Sequence, residues 1–283
     1  MLKNFLVFEQ ICGIIGHPLG HTMSPTLHNA MFQHMGLPFA YVALPTPPDR
    51  LKEVVAAVRA LPVQGLSVTI PHKEPVMGLC DEVSLRARRI GAVNTLFWRD
   101  GLLHGENTDI TGFCTPLGKL GRKIRSALVL GAGGVARAAI AGLQDMGVAN
   151  VAVSNRDVTR AQGLAKEFGC TAVMWDVRGE VDADIVINAA AMKQVPSCEY
   201  FPEEAYRTNV DGAVNLMNAV REMRDPPGVV VGVSTDKAVK PVNVMGMTKA
   251  LQERLFIRAN LDCPGTRFIA VRYGNVVASR GSV

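Results

Sequence analysis

The sequence predicts an α/β fold, in which an N-terminal α/β domain is followed by a six-strand doubly wound sheet of the Rossmann kind. Three observations carry that expectation. Short apolar runs alternate with helical patterns along the whole chain. A basic stretch, GKLGRKIR (118–125), interrupts the pattern. Directly after it the pattern restarts at SALVLGAGG (126–134), a strand running into a glycine turn and a helix. The expected domains are therefore residues 1–120 and 121–283.

In the first domain ICGIIG (11–16), FAYVAL (39–44) and GLSVTI (65–70) read as strands. Between them SPTLHNAMFQHMG (24–36) and PPDRLKEVVAAVRAL (47–61) read as helices, each opened by a proline-containing start signal. GAVNTLFWRDGLLHGENTD (91–109) reads as two strands joined by a turn at Asp100-Gly101, and a helix from about Thr111 leads to the basic stretch. After SALVLGAGG, further strands are expected in VANVAVSNR (148–156), TAVMW (171–175), ADIVINAA (183–190), GVVVGVS (228–234) and RFIAVRYG (267–274). Six strands with helical crossovers make a complete dinucleotide-binding sheet.

Composition narrows the function classes. Of 283 residues, 48% are apolar and 19% charged, a globular balance. The net charge of +5 is spread along the chain without a run of Lys and Arg, so it suits anionic small molecules and not a nucleic-acid partner. Six cysteines lie far apart without a C-x-x-C pair, the pattern of thiols in a reducing, cytoplasmic compartment. At the N-terminus Glu9 and Gln10 interrupt the apolar run, and no later run is long enough to span a bilayer, so no membrane partner is expected. His17 and His21 have the spacing of helical metal ligands, but Pro18 and Gly20 between them oppose a helix, and no metal is expected.

The glycine turn points to a cofactor. LVLGAGGVARAAI (128–140) places Gly131, Gly133 and Ala136 in G-x-G-x-x-A spacing, with Gly134 in the same turn. The first glycine permits the turn, the second lets backbone approach a pyrophosphate, and the small third residue lets the helix pack close with its N-terminus facing the phosphates. The second strand ends at Asn155-Arg156, where an acidic residue would favour NAD. Arg156, with Arg160 one turn on, can hold a 2′-phosphate, and NADP is expected; Asp157 opposes this by repulsion.

The first domain carries polar groups beside its strands. GHPLGHTMSPTLHN (16–29) offers Thr22 and Ser24, and N-capping would satisfy Ser24 before Pro25. LSVTIPHKE (66–74) puts Ser67 and Thr69 on a strand and Lys73 just beyond Pro71. Together with GAVNT (91–95), GENTD (105–109), GAGGVAR and Asn155-Arg156, these stretches resemble the shikimate dehydrogenases over about residues 11–189. The resemblance implies that Thr22 and Ser24 hold a substrate carboxylate, that Thr69, Asn94 and Asp109 bind ring hydroxyls, and that Lys73 and Asp109 form an acid–base pair reducing 3-dehydroshikimate with NADPH. Thr22 stands where that family usually has Ser, and Ser67 where it usually has Asn, which shortens one polar contact.

Downstream the pattern changes. A shikimate dehydrogenase continues into a Thr-Ser-x-Gly-Met-like loop and ends in a helix whose Gln returns to the substrate. This chain instead has AAMKQVPSCEY (190–200), NVDGAVNLMNAV (209–220), VSTDKAVKPVNVMGMTKA (233–250) and RFIAVRYGNVVASRGSV (267–283). These resemble extended short-chain dehydrogenase/reductases acting on nucleotide sugars, the polysaccharide-biosynthesis 4,6-dehydratases and epimerases, over about residues 184–283. That resemblance implies Thr235, Asp236 and Lys237 at the sugar. It puts Met245 and Lys249 in Tyr-x-x-x-Lys spacing, with Lys249 on the nicotinamide ribose and Met245 unable to act as a base. DIVINAAA (184–191) is then a seam in a hybrid chain, whose second domain divides into residues 121–189 and 190–283; the sequence reaches Val283 before a nucleotide-sugar domain. Three functions stay open: a shikimate dehydrogenase impaired by its replaced C-terminal half, a nucleotide-sugar dehydratase or epimerase, and a cofactor-binding hybrid with little catalysis.

Overall fold

Runs of β-branched and apolar residues five to seven long, broken by Gly, Pro and polar turns, build the first sheet. Its elements are β1 (Gln10–Gly16), α1 (Ser24–His34), β2 (Phe39–Pro45), α2 (Leu51–Ala60), β3 (Val63–Val68), β4 (Glu82–Val83), α3 (Leu85–Ile90), β5 (Thr95–Arg99) and β6 (Leu102–Glu106). The strand order is β2-β1-β3-β5-β6-β4, with β1 parallel to β2 and β3, and β5 antiparallel to β3 and β6. The β5–β6 turn has positive φ at Asp100 (51°) and Gly101 (77°), the mirror-image turn whose twist matches a hairpin. Leu51, Val55 and Val58 of α2, spaced along one helical face, pack with Ile15, Val63, Leu66, Val68, Leu96 and Leu103. The third strand ends earlier than the sequence suggests: Thr69 lies just past β3, in the turn towards the Ile70-Pro71 bond, and is not a strand residue. The short β4 and the Ser84-capped α3 carry no strong periodic signal and were not anticipated.

The structure, a computed structural model, describes residues 8–20 and 22–273, which fall into two compact units, one ending at Thr108 and the other beginning at Asp109. The second unit begins within α4 (Thr108–Gly118) and continues through β7 (Ser126–Leu130), α5 (Gly134–Asp145), β8 (Asn150–Ser154), α6 (Val158–Phe168), β9 (Thr171–Val173), β10 (Ile185–Asn188), α7 (Val195–Tyr200), α8 (Pro202–Tyr206), α9 (Gly212–Glu222), β11 (Val229–Thr235), α10 (Val244–Asp262) and β12 (Arg267–Tyr273). Its strands are all parallel in the order β9-β8-β7-β10-β11-β12, the doubly wound pattern expected.

Both units are α/β, yet the division falls at Thr108/Asp109 and not at the basic stretch. The reason is packing. Helix α4 begins three residues before Thr111, and its Ile110, Phe113 and Cys114 lie against Gly142 of α5, where a side chain would collide with the Cys114 Sγ. The basic stretch is itself fastened to the second sheet: Arg122 donates to the Gly228 carbonyl (3.1 Å), and the Arg125 and Ser126 amides donate to the Asp184 carboxylate (2.6 and 3.1 Å). Those bonds hold the Asp184 carboxyl below the usual carboxylate range.

No described helix is long and apolar enough to cross a membrane. Among the described residues no cluster of His, Cys, Asp and Glu could hold a metal ion. His21, Gly274 and the rest of the C-terminal GNVVASRGSV lie outside the described residues.

Candidate functional site

In the first unit the predicted residues gather at the carboxyl ends of β1 and β3. The His17 amide donates to the Ile70 carbonyl (3.0 Å) and the Thr69 amide to Ile15 (2.9 Å), which joins the two strand ends. Across the sheet, the Val93 amide donates to the Lys73 carbonyl (2.7 Å) and Val68 to the Asn94 carbonyl (2.8 Å), so Lys73 and Asn94 bracket the same edge. The Asn94 Oδ1 accepts from the Thr95 hydroxyl (2.9 Å) and from the Thr108 amide (3.0 Å) and hydroxyl (3.3 Å). That fixes the carboxamide plane and leaves its Nδ2 outside these bonds. Lys73 is half-buried in a tight turn.

The hydroxyls differ in what they do. Thr69 is only 2% exposed, and its Oγ1 has no hydrogen-bond partner among the described residues. A buried hydroxyl without a partner is destabilising, so its persistence points to a ligand group that completes it. Ser67 Oγ accepts from the Tyr41 hydroxyl (2.8 Å), and burial pushes the Tyr41 phenol upward, keeping it a donor. Ser24 does not cap α1: Met23 occupies the N-cap position and Ser24 is the first helical residue, donating its amide to Thr22 Oγ1 (3.3 Å). Thr22 makes the local turn that Ser24 was expected to make, and Pro25 sits at the second helical position.

His72 was not anticipated. It is 1% exposed, and its Nε2 lies 2.7 Å from the Thr46 carbonyl, so that nitrogen carries the proton. Thr46 donates its amide to Gly16, and the ring thereby ties the Pro71–Lys73 turn to the ends of β1 and β2. Its only signal in the sequence was a place between Pro71 and Lys73.

In the second unit Gly131 has φ +111°, and a Cβ there would lie 3.0 Å from the Ala189 carbonyl carbon and oxygen and from the Ala190 nitrogen. Only glycine fits both the backbone and the space. Gly133 and Gly134 face open space at the start of α5, and Ala136 is fully buried beneath them. The Gly131 amide donates to the Ser154 carbonyl (2.8 Å), and Ser154 Oγ is buried without a partner among the described residues. This turn has the shape a pyrophosphate needs, with a helix N-terminus open before it.

Beyond β8, Asn155 Nδ2 donates to the Asp157 carbonyl (3.1 Å). Asp157 caps α6, accepting from the Arg160 amide (3.3 Å), and its carboxylate pairs with Arg160 Nε (3.2 Å). Arg160 is thus paired with Asp157 at the exposed start of α6. The same pair offsets the carboxylate that opposed a phosphate there. Arg156 is exposed between them.

The residues of the alternative reading divide. Thr235 donates to Asp236 Oδ1 (2.9 Å), which also accepts from the Lys237 amide (3.0 Å) with Lys237 Nζ at 3.8 Å, a polar cluster at the end of β11. Met245 packs against Cys198 and Ala205. Lys249 is 4% exposed; its Nζ donates to Gln252 Oε1, and burial depresses its ammonium to about 8. Next to it, Glu253 accepts from Ser234 (2.5 Å) and twice from Arg272 (2.8 and 2.6 Å), a network with no periodic signature in the sequence.

Comparison with known proteins places most of the chain beside shikimate dehydrogenases. The family model described as the shikimate dehydrogenase substrate binding domain matches residues 14–96, and that described as shikimate / quinate 5-dehydrogenase matches residues 119–198. A model described as a polysaccharide biosynthesis protein matches residues 165–283. The shikimate dehydrogenase (NADP(+)) of Oleidesulfovibrio alaskensis is 52% identical over 65% of this chain and 66% of its own length. That of Methanopyrus kandleri is 39% identical over 84% of this chain and 85% of its own. The crystal structure of shikimate 5-dehydrogenase from Thermus thermophilus in complex with shikimate superposes with a TM-score of 0.60 at 30% identity, covering 92% of this chain and 86% of that one. The chain thus spans about two thirds of the Oleidesulfovibrio relative.

Proposed function

Since the chain belongs to the shikimate dehydrogenase family, we propose that it is an NADP-dependent oxidoreductase interconverting 3-dehydroshikimate and shikimate in the cytoplasm. The observation that carries the reading is Thr69, whose buried Oγ1 lacks a partner among the described residues, just past the strand that carries Ser67 and beside the Lys73 turn and Asn94. A small polyhydroxylated acid supplies the missing partner. Thr22 and Ser24 take its carboxylate, and Thr69, Asn94 and Asp109 its ring hydroxyls.

Gly131, Gly133 and Gly134 would hold the pyrophosphate of NADPH and Arg156 its 2′-phosphate; when bound, the cofactor would supply the hydride. The chain's own residues handle the proton. As the ketone becomes an alcohol its oxygen gains negative charge, and the Lys73 ammonium donates to it; Asp109 is the other member of the proposed acid–base pair. In the reverse direction Lys73 accepts the proton.

The C-terminal half favours a second reading through its own family match and the Thr235–Asp236–Lys237 cluster. On that reading residues 190–283 are grafted from a nucleotide-sugar enzyme, and the graft impairs turnover. The engagement of Lys249 by Gln252 in the helix interior weighs against catalysis on nucleotide sugars.

The test is shikimate-dependent reduction of NADP, followed by nicotinamide absorbance, with Lys73→Ala as control. The proposal expects turnover that falls by about 10²–10⁴ in the variant. Wild-type protein that binds NADPH without turnover would instead be a cofactor-binding hybrid.

A further inference from the structure

Tyr41 reaches the strand-end cluster through one hydrogen bond. Along β3, Leu66 and Val68 pack on the α2 side with Leu51, Val55 and Val58, so Ser67 between them faces the other way. Thr69 falls on the face of Ser67, because its amide still bonds Ile15 and the alternation runs one step past the strand. Tyr41 of β2 lies on this face too. It packs with Ile14, which pairs in register with Ser67, and its hydroxyl donates to Ser67 Oγ at 2.8 Å. Every residue of this arrangement belongs to the first unit.

The phenol is held on both sides. Its ring is buried 4.2 Å from that of His28, and Asn29 of α1 bonds both the Tyr41 amide and the Tyr41 carbonyl (2.8 Å each). Of the two hydroxyls the phenol is the stronger acid and the poorer acceptor, so it gives the proton. Half-buried Ser67 makes no other hydrogen bond among the described residues, which leaves its own proton uncommitted. Accepting from Tyr41 polarises that O–H for donation onward.

We propose that Tyr41 is a positioning residue for the substrate: its hydroxyl fills one lone pair of Ser67 Oγ, so that Ser67 donates its proton to a ring hydroxyl oxygen of the bound acid. This rests on the proposed shikimate reading. A lone serine hydroxyl rotates and serves as donor or acceptor alike. Tyr41 fixes the polarity of this one contact, and burial, which pushes its phenol upward, keeps it a neutral donor.

A double-variant cycle in the full chain is the test, with shikimate affinity read by calorimetric titration and by KM. Tyr41→Phe keeps the ring beside His28 and removes only the hydroxyl. It should weaken shikimate binding about two- to tenfold, with KM for NADP unchanged. Ser67→Ala should weaken it at least as much. Tyr41→Phe added to Ser67→Ala should cost nothing further, because the phenol then has no hydroxyl to orient. A phenol serving the fold alone would have the same effect in both backgrounds. Wild-type affinity in Tyr41→Phe, or equal losses in the two backgrounds, overturns the proposal while the shikimate reading stands. Wild-type protein that binds no shikimate defeats both.

Discussion

Lys249 gives the sharpest stability prediction. Its ammonium is 4% exposed and depressed by burial from about 10.5 to about 8, with the nearby Glu253 charge acting in the opposite direction. The folded state thus binds its proton less tightly than the unfolded chain. Between pH 8 and 10.5 the unfolded state holds more protons, so stability gained from this site rises with pH. Below pH 8 both states are protonated, and the fold carries the full penalty of about 3 kcal/mol. Replacing Lys249 by Met keeps an unbranched side chain of similar length but strips Gln252 Oε1 of its donor, and Gln252 Nε2 already lacks a partner among the described residues. The double variant Lys249→Met/Gln252→Leu removes both polar groups together.

The double variant should be more stable than wild type at pH 7 by up to about 3 kcal/mol. The single variant should gain less, by the roughly 1–3 kcal/mol that an unsatisfied buried amide costs. Urea unfolding followed at Trp175, with Trp98→Phe in both proteins so that one tryptophan reports, measures the difference across pH 7 to 10.5. The gap between the two proteins should close towards pH 10.5. A gap independent of pH, or a double variant less stable at pH 7, would refute the burial of a charged Lys249.

Other outcomes follow from the same geometry. Gly131→Ala forces a side chain into positive φ against the Ala189–Ala190 backbone; calorimetry should show a loss of about 1–3 kcal/mol, roughly 2–4 °C in Tm per kcal/mol, together with weakened NADPH binding in titrations. Thr69→Val should raise KM for shikimate by up to about tenfold while Tm holds or rises, and a lower Tm would mean that the hydroxyl serves the fold instead of a ligand.

Much of the architecture was legible because its causes are local. Strands β7, β8, β10 and β11 are short apolar runs, the glycine turn before α5 is a spacing, and Asp100-Gly101 is a two-residue hairpin signal. Each is set by residues a few positions apart. The glycine turn was therefore visible in the spacing, whereas the Arg160–Asp157 pair at the start of α6 is a capping contact the sequence reading did not foresee.

Tertiary structure decided what depends on which elements meet. Helix α4 joins the second unit because Cys114 and Phe113 fill the space left by Gly142, whereas the basic stretch suggested a later boundary. Thr69 and Tyr273 carry buried hydroxyls without a partner among the described residues, and Lys249 is a helix lysine withdrawn from water; sequence patterns assign none of these states. The physical reason is that periodicity fixes local conformation and the face a residue lies on, while burial and hydrogen-bond satisfaction are set by neighbours distant in the chain. Glu253 shows this plainly: one carboxylate on α10 gathers Ser234 from β11 and Arg272 from β12, residues that only the parallel sheet brings side by side.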